Sequence, residues 1–264
     1  MDTRDRFMKL LPWISTPVML ALSLGVWTFL VRVVGVSEFI LPAPRAVAES
    51  LGALLIDPEI WGHVRITLTE VLAGFAIALL LGVVGGAVLG RLPWLEVAVR
   101  PALVAAQVIP KVALIPLFVI WFGFGITSKV VVACILAFFP ILLNVLLGVR
   151  SVDRGYRDVM RGLGASRWAT FRDLELPSTL PHVFAGMEVA IVFSVIGAIV
   201  GEYLGGNEGL GYLVVVSLNA LDSSKLFAVI LLLATMGSVL FFAINGVKRF
   251  VIPWHESVTG RDIG

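Results

Sequence analysis

Residues 67–90 read TLTEVLAGFAIALLLGVVGGAVLG and carry a single charge, Glu70. A membrane-crossing helix needs about 20 mostly apolar residues. This stretch meets that requirement. Gly74, Ala78, Gly82, Gly86 and Gly90 recur at every fourth position, which puts them on one helix face. In lipid, such small-residue faces let helix backbones approach closely, because packing replaces the hydrophobic drive between helices. Two readings stand here: tight packing alone, or a face on which helices rock and slide.

The chain around it has the same character. Of its 264 residues, 59% are hydrophobic and 14% charged, with a mean hydropathy of +1.00. Soluble domains carry about 25% charged residues. The deficit excludes an ordinary globular enzyme and predicts an all-α, polytopic membrane helix bundle. Five more spans are expected, at about 14–34, 102–123, 130–149, 182–204 and 226–247, giving about six in all. The third is broken by Pro110 and Pro116. The basic start, MDTRDRFMKLLPWIS, is compatible with a signal peptide. The apolar run from Pro17 to Val34 is longer than a usual signal core, however, and no A-x-A site follows, so it is read as a retained first span. No separate soluble domain is expected, and 1–264 reads as one transmembrane domain.

The basic residues fall unevenly between the two sides. Arg4, Arg6, Lys9, Arg91, Arg100, Arg150, Arg154, Arg157, Arg161, Arg167, Arg172, Lys248, Arg249 and Arg261 lie in alternate connections. Arg32, Arg45, Arg65, Lys129 and Lys225 lie in the others, and Lys111 lies within the third span. Positively charged connections stay in the cytoplasm. Both termini are therefore expected inside, in a multi-pass membrane protein. The longest outer connection, 35–66, suggests a capped surface helix near Arg45 to Ile56 at the outer interface.

Polar residues within spans are the candidate translocation path: Gln107, Lys111, Asn144, Ser194 and Glu202. Interhelical hydrogen bonding and interfacial anchoring are the other reading for each. The fifth span repeats the small-residue device with Gly186, Ala190, Ser194 and Ala198, and with Gly197, Gly201 and Gly205. GFGITSK, from Gly123 to Lys129, fails as a phosphate loop because Ser128 and Val130 stand where the motif needs Gly and Ser or Thr. GGNEGLG, from Gly205 to Gly211, reads as an outer turn. His63, His182 and His255 lack metal-ligand spacing. The lone Cys134 sits among apolar neighbours and reads as a buried small hydrophobe. No catalytic triad or paired-carboxylate site is evident, and the net charge of +2 leaves no footprint for nucleic acid. Glu70, Glu188 and Glu202 fall near expected span ends, which argues against a stand-alone secondary transporter. No metal, cofactor or nucleotide site is expected on this chain, so energy for uphill transport must come from an ion gradient or another subunit.

The most basic connection, 150–181, is patterned. Tyr156, Val159, Met160 and Leu163 share a helix face, with Arg154, Arg157, Asp158 and Arg161 on the other. Gly164 ends that helix. Ser166 can cap the next, where Trp168, Phe171 and Leu174 follow beside Arg167 and Arg172. The result is a helix–turn–helix with an apolar stripe. On pattern alone it is either a docking surface or a stripe lying on lipid headgroups.

This segment resembles the cytoplasmic signature loop of the permease subunits of bacterial ATP-binding-cassette importers, E-A-A-x3-G-x9-I-x-L-P. Gly164, Leu176 and Pro177 match, Leu174 replaces the isoleucine, and Asp158, Val159 and Met160 stand at the E-A-A positions. LPAPRAVAESL, IPKVALIPLFVIWFGFGITSK, FFPILLNVLLGVRSVD, GLGYLV and PWHES are similar to the nitrate/sulfonate/taurine branch of these permeases, over roughly 38–256. The resemblance implies a type I importer-like bundle that works as a pair of permease copies in the lipid bilayer. It further implies two ATP-binding subunits, which hold ATP and Mg, and an extracytoplasmic solute-binding protein. Tyr156, Asp158, Met160, Leu163, Gly164, Ala165, Arg167, Trp168, Leu176 and Pro177 would couple the chain to the ATPase. The solute implied is a sulfonate, nitrate or similar organic anion. Riboflavin or a thiamine-related pyrimidine is the alternative.

Overall fold

The computed structural model describes residues 3–255. Residues 256–264, which include Arg261 and the last two of PWHES, lie outside the described residues, as do the side chains of Arg4, Arg6 and Lys9. Among the described residues all regular structure is helical: α1 (Thr3–Arg32), α2 (Pro44–Ile56), α3 (Pro58–Arg91), α4 (Pro93–Val108), α5 (Ile115–Phe122), α6 (Ile126–Ser151), α7 (Arg154–Gly162), α8 (Arg167–Thr170), α9 (Leu176–Gly205), α10 (Leu210–Asn219) and α11 (Ser223–Val251). A 3-10 turn, Lys111–Leu114, precedes α5, and a π turn, Phe171–Glu175, joins α8 to α9.

Four helices are long and apolar enough to cross a membrane: Pro58–Arg91, Ile126–Ser151, Arg167–Gly205 and Ser223–Val251. The expected third span is not one helix. Pro93–Val108 and Lys111–Phe122 meet at an 80° bend, forming a fifth, broken candidate. The break falls at Pro110, which lacks the N–H that would continue α4. Pro116, also expected to break it, sits in the first turn of α5, where proline is tolerated. Of the first expected span, Pro17–Arg32 is described as an apolar helix, the C-terminal part of α1. GGNEGLG leads into a short apolar helix, α10.

The chain divides into two compact units. One comprises Met1–Trp61 and Leu213–Leu232. Within it Trp27 Nε1 donates to Pro42 O at 3.0 Å, its ring lies 5.9 Å from that of Phe227, and the Ser223 hydroxyl donates to Phe39 O. The helix expected near Arg45 to Ile56 is present as α2. It has no side-chain cap; Pro44, with its φ already set for a helix, starts it instead. Val47 and Leu54, seven apart, are its buried face.

The other unit comprises Gly62–Tyr212 and Leu233–Gly264. Its core places α6 between α3 and α9. Ala133 is the pivot: a methyl added at Gly74 of α3 would meet its Cβ at 2.5 Å, and one added at Gly197 of α9 would meet its Cα at 2.7 Å. The same closeness recurs at Gly82 against Ile141, Gly86 against Val145, Gly90 against Val149 and Gly186 against Asn144. The small-residue faces are therefore used for backbone contact on both sides of α6. Val71, Phe75, Ala78, Ala137, Ile141, Val145, Ala190, Ile191, Val195 and Ala198 fill the space between, and Met236, Leu240, Phe241 and Ile244 of α11 pack on that cluster.

Candidate functional site

Three features of this second unit bear on function. The first is the polar connection. Asp153 caps α7, accepting from Gly155 N at 2.5 Å. The helix stops where Gly164 adopts φ +71°, a left-handed conformation that costs an L side chain about 1–2 kcal/mol. Gly164 N donates to Arg161 O and Ala165 N to Met160 O, both at 2.9 Å. Ser166 then caps α8 by accepting from Ala169 N at 3.1 Å. The turn holds the expected stripe open: Tyr156, Leu163 and Trp168 are 65%, 77% and 67% exposed. Val159, Arg167 and Asp158 are exposed as well, whereas Met160, Ala165 and Pro177 are half-buried and Leu176 is partly exposed. Asp158, at the family's acidic position, pairs with Arg161 at 2.9 Å.

The second half of this connection is not a separate loop helix ahead of a span. α8, the π turn and α9 run on as Arg167–Gly205. Leu176 N donates to Phe171 O, the five-residue spacing of a π turn. That turn adjusts the register just before Pro177, which has no N–H to give.

The second feature is a groove of about 470 Å³ lined by Gln107, Lys111, Phe139, Pro140, Asn144 and Phe193, with Val112, Leu136, Leu143 and Val189. Three candidate path residues, Gln107, Lys111 and Asn144, thus share one surface. The Lys111 ammonium lies 4.8 Å above the Phe139 ring and 3.4 Å from Gln107 O, and among the described residues it makes no ion pair. Asn144 Nδ2 donates to Pro140 O at 2.8 Å, a side-chain bond within α6 to the carbonyl four residues back.

Ser194 and Glu202 lie elsewhere. Ser194 is fully buried and donates to Val71 O at 2.8 Å, tying α9 to α3. Glu202 belongs to the third feature, a buried charge cluster. Its carboxylate accepts from the Thr67 hydroxyl at 2.6 Å and from Gly211 N at 2.6 Å. Thr67 Oγ1 also accepts from Leu210 N at 2.8 Å, and His63 Nδ1 accepts from Gly209 N at 2.9 Å. Lys129 of α6 stands 3.5 Å from a Glu70 oxygen, and neither Glu70 oxygen has a hydrogen-bond partner. Glu70 and Glu202 are both fully buried. Glu202 lies in the last turn of α9, near a helix end as expected, whereas Glu70 lies well inside α3; with Lys129 they form a buried carboxylate grouping that the reading of the sequence did not expect. GGNEGLG is correspondingly more than a turn. Gly209 has φ +103°, and a side chain there would run into the Glu202 carboxylate. The glycines let backbone N–H groups close around that carboxylate. An acid a few residues ahead of a glycine cluster was the available signal, and the partners Thr67 and Lys129 were too distant in sequence to be seen.

Next to the exposed stripe, Glu175 takes Arg91 Nη2 on one oxygen at 3.1 Å and Arg157 Nε on the other at 3.2 Å. Arg91 lies 5.2 Å above the Phe171 ring. Nearby, the buried Glu96 binds Arg100 at 2.7 Å and Arg150 at 3.2 Å, joining α4 to α6.

Residues 74–254 match the family described as binding-protein-dependent transport system inner membrane component. The chain is 36% identical over 246 residues to the riboflavin transport system permease protein of Chloroflexus aurantiacus, covering 93% of this chain and 92% of that one. It is 37% identical to the formylaminopyrimidine transport permease protein of Halalkalibacterium halodurans, covering 88% and 92%. Against the taurine transport system permease protein of Escherichia coli it is 28% identical, covering 90% and 89%.

Proposed function

The chain belongs to the binding-protein-dependent transport system inner membrane components, and from that premise we propose how it works within an ATP-binding-cassette importer. It is a multi-pass permease subunit of such an importer, in a family whose permeases work with an ATPase and a solute-binding protein. The stripe Tyr156, Val159, Leu163 and Trp168 docks in a groove of the ATPase subunit, which holds the ATP and Mg. Two copies of this chain pair across the membrane, with both termini and α7 in the cytoplasm. ATP binding draws the docked loops together and turns the bundle outward, and hydrolysis resets it. Two states biased by a ligand are what alternating access requires. The observation that carries this reading is the exposed apolar stripe around the left-handed Gly164.

The groove at Lys111 is the solute path. An unpaired ammonium beside two amides suits a solute with an anionic oxygen group, such as a sulfonate or nitrate. A second reading, a flat vitamin-like solute, is favoured by the names of two relatives above 35% identity, the riboflavin and formylaminopyrimidine permeases, and by the Phe139 and Phe193 rings of the groove.

The test is co-purification from detergent with the neighbouring genes expressed. The chain should bring down a stoichiometric ATPase. Gly164→Val should insert normally yet lose solute-stimulated ATPase and uptake. A Gly164→Val complex with normal values for both would refute the docking assignment.

A further inference from the structure

α7 buries none of its side chains, so close packing does not fasten it to the spans. Among the described residues, Arg157 makes the side-chain bonds that reach from α7 to other elements. Its Nε meets Glu175 Oε1 at 3.2 Å, and its Nη2 donates to Val149 O in the last turns of α6 at 3.3 Å. The second oxygen of Glu175 takes Arg91, the last residue of α3, at 3.1 Å. One carboxylate therefore joins α7 to α3 immediately ahead of α9. Glu175 is also the lone acid among the residues lining a cavity of about 700 Å³ with Arg91, Arg157, Arg161 and Arg167. That open space means side-chain packing does not relay a push on α7 there.

We infer that Glu175 is a positioning residue that passes movement of α7 to the adjoining end of α3, by holding Arg157 and Arg91 on its two oxygens. The inference rests on the reading of α7 as the ATPase dock. Ion pairs this exposed add little stability; a guanidinium fixed on each carboxylate oxygen instead sets direction. Glutamine keeps the shape but offers one acceptor oxygen, so it holds one arginine and releases the other.

The experiment uses the complex of this chain with its ATPase in liposomes. Cys134→Ala removes the native thiol, and Leu92→Cys places a maleimide-reactive probe beside the end of α3. The readout is the change in labelling rate on adding ATP and vanadate, which needs no knowledge of the solute. Glu175→Gln should keep the ATPase bound and its basal rate, while the ATP-dependent labelling change falls at least about five-fold, the low end of measured couplings between sites. Glu175→Asp, with two acceptor oxygens, should retain most of the change. Arg91→Gln should lose it, and the double variant should be no worse than either single, because both remove one link. A Glu175→Gln complex that responds normally sinks the inference alone. Release of the ATPase by Glu175→Gln also overturns it, since Glu175 would then belong to the docking surface. A wild-type chain that brings down no ATPase sinks the docking reading and the inference with it.

Discussion

Gly197→Ala is the sharpest perturbation of this fold. The added methyl would lie 2.7 Å from Ala133 Cα, 3.0 Å from Ala133 N and 3.2 Å from Val132 C, where ordinary contact begins at 3.4 Å. All three neighbours are backbone atoms and cannot rotate aside. α6 cannot retreat either, because Gly74 of α3 presses on Ala133 from the opposite side. α9 must therefore withdraw by about 0.7 Å at this level. A gap of that order forfeits a quarter to a half of each lost van der Waals contact. Overpacking of a tight core costs about 1–3 kcal/mol. Rigid neighbours put this case in the upper half of that range, and the better helix propensity of alanine returns about 1 kcal/mol. The net expectation is a loss of about 1–2 kcal/mol. Gly246 of α11 supplies the control, since nothing lies within 4 Å of its added methyl. Gly246→Ala should gain about 0.5–1 kcal/mol. The same chemical change should thus split the two variants by roughly 1.5–3 kcal/mol, or about 3–12 °C in melting temperature for a chain of this size. A thiol-reactive dye reads this directly, because the single cysteine, Cys134, is half-buried in α6 and becomes reactive on unfolding. If Gly197→Ala melts at or above the wild type, the close approach of α6 and α9 is wrong.

Two further outcomes follow from the buried charge cluster. Lys129→Met removes the cation facing Glu70 and should cost about 3–5 kcal/mol, as breaking a buried pair does; Lys129→Met with Glu70→Gln should be more stable than Lys129→Met alone, and a strictly additive pair of losses in melting temperature would show that the two do not interact. Gly209→Ala should lose clearly more stability than Gly123→Ala. Both glycines are left-handed, at φ +103° and +80°, yet a side chain meets the Glu202 carboxylate at Gly209 and open space at Gly123; equal losses would mean that Gly209 serves its backbone angle alone.

Membrane-spanning helices, their small-residue faces and the helical loop with its exposed stripe were legible because each depends on local periodicity. The run 67–90 is apolar but for Thr67, Thr69 and Glu70, the glycines fall every fourth residue, and the stripe on α7 repeats at helical spacing. Helix ends were read correctly where capping is a short-range matter, at Gly164 and Ser166, whereas the cap at Asp153 was not read. The path of the chain through a proline was less legible. Pro110 breaks its helix by 80°, Pro140 leaves α6 continuous, and Pro181 lies inside α9. Local sequence does not separate the three cases, because each proline removes the same N–H.

The sequence by itself determined that this is a membrane helix bundle, where the exposed apolar stripe of α7 lies, and to which family it belongs, because solvent and local geometry act residue by residue. Only the tertiary structure decided which polar groups meet. Thr67 and Glu202 are 135 residues apart, and Arg91 and Glu175 are 84 apart. No periodicity links residues so distant. Their pairing follows from α3, α6 and α9 closing on one another at glycine contacts, which brings the ends of separate helices within reach of a single carboxylate.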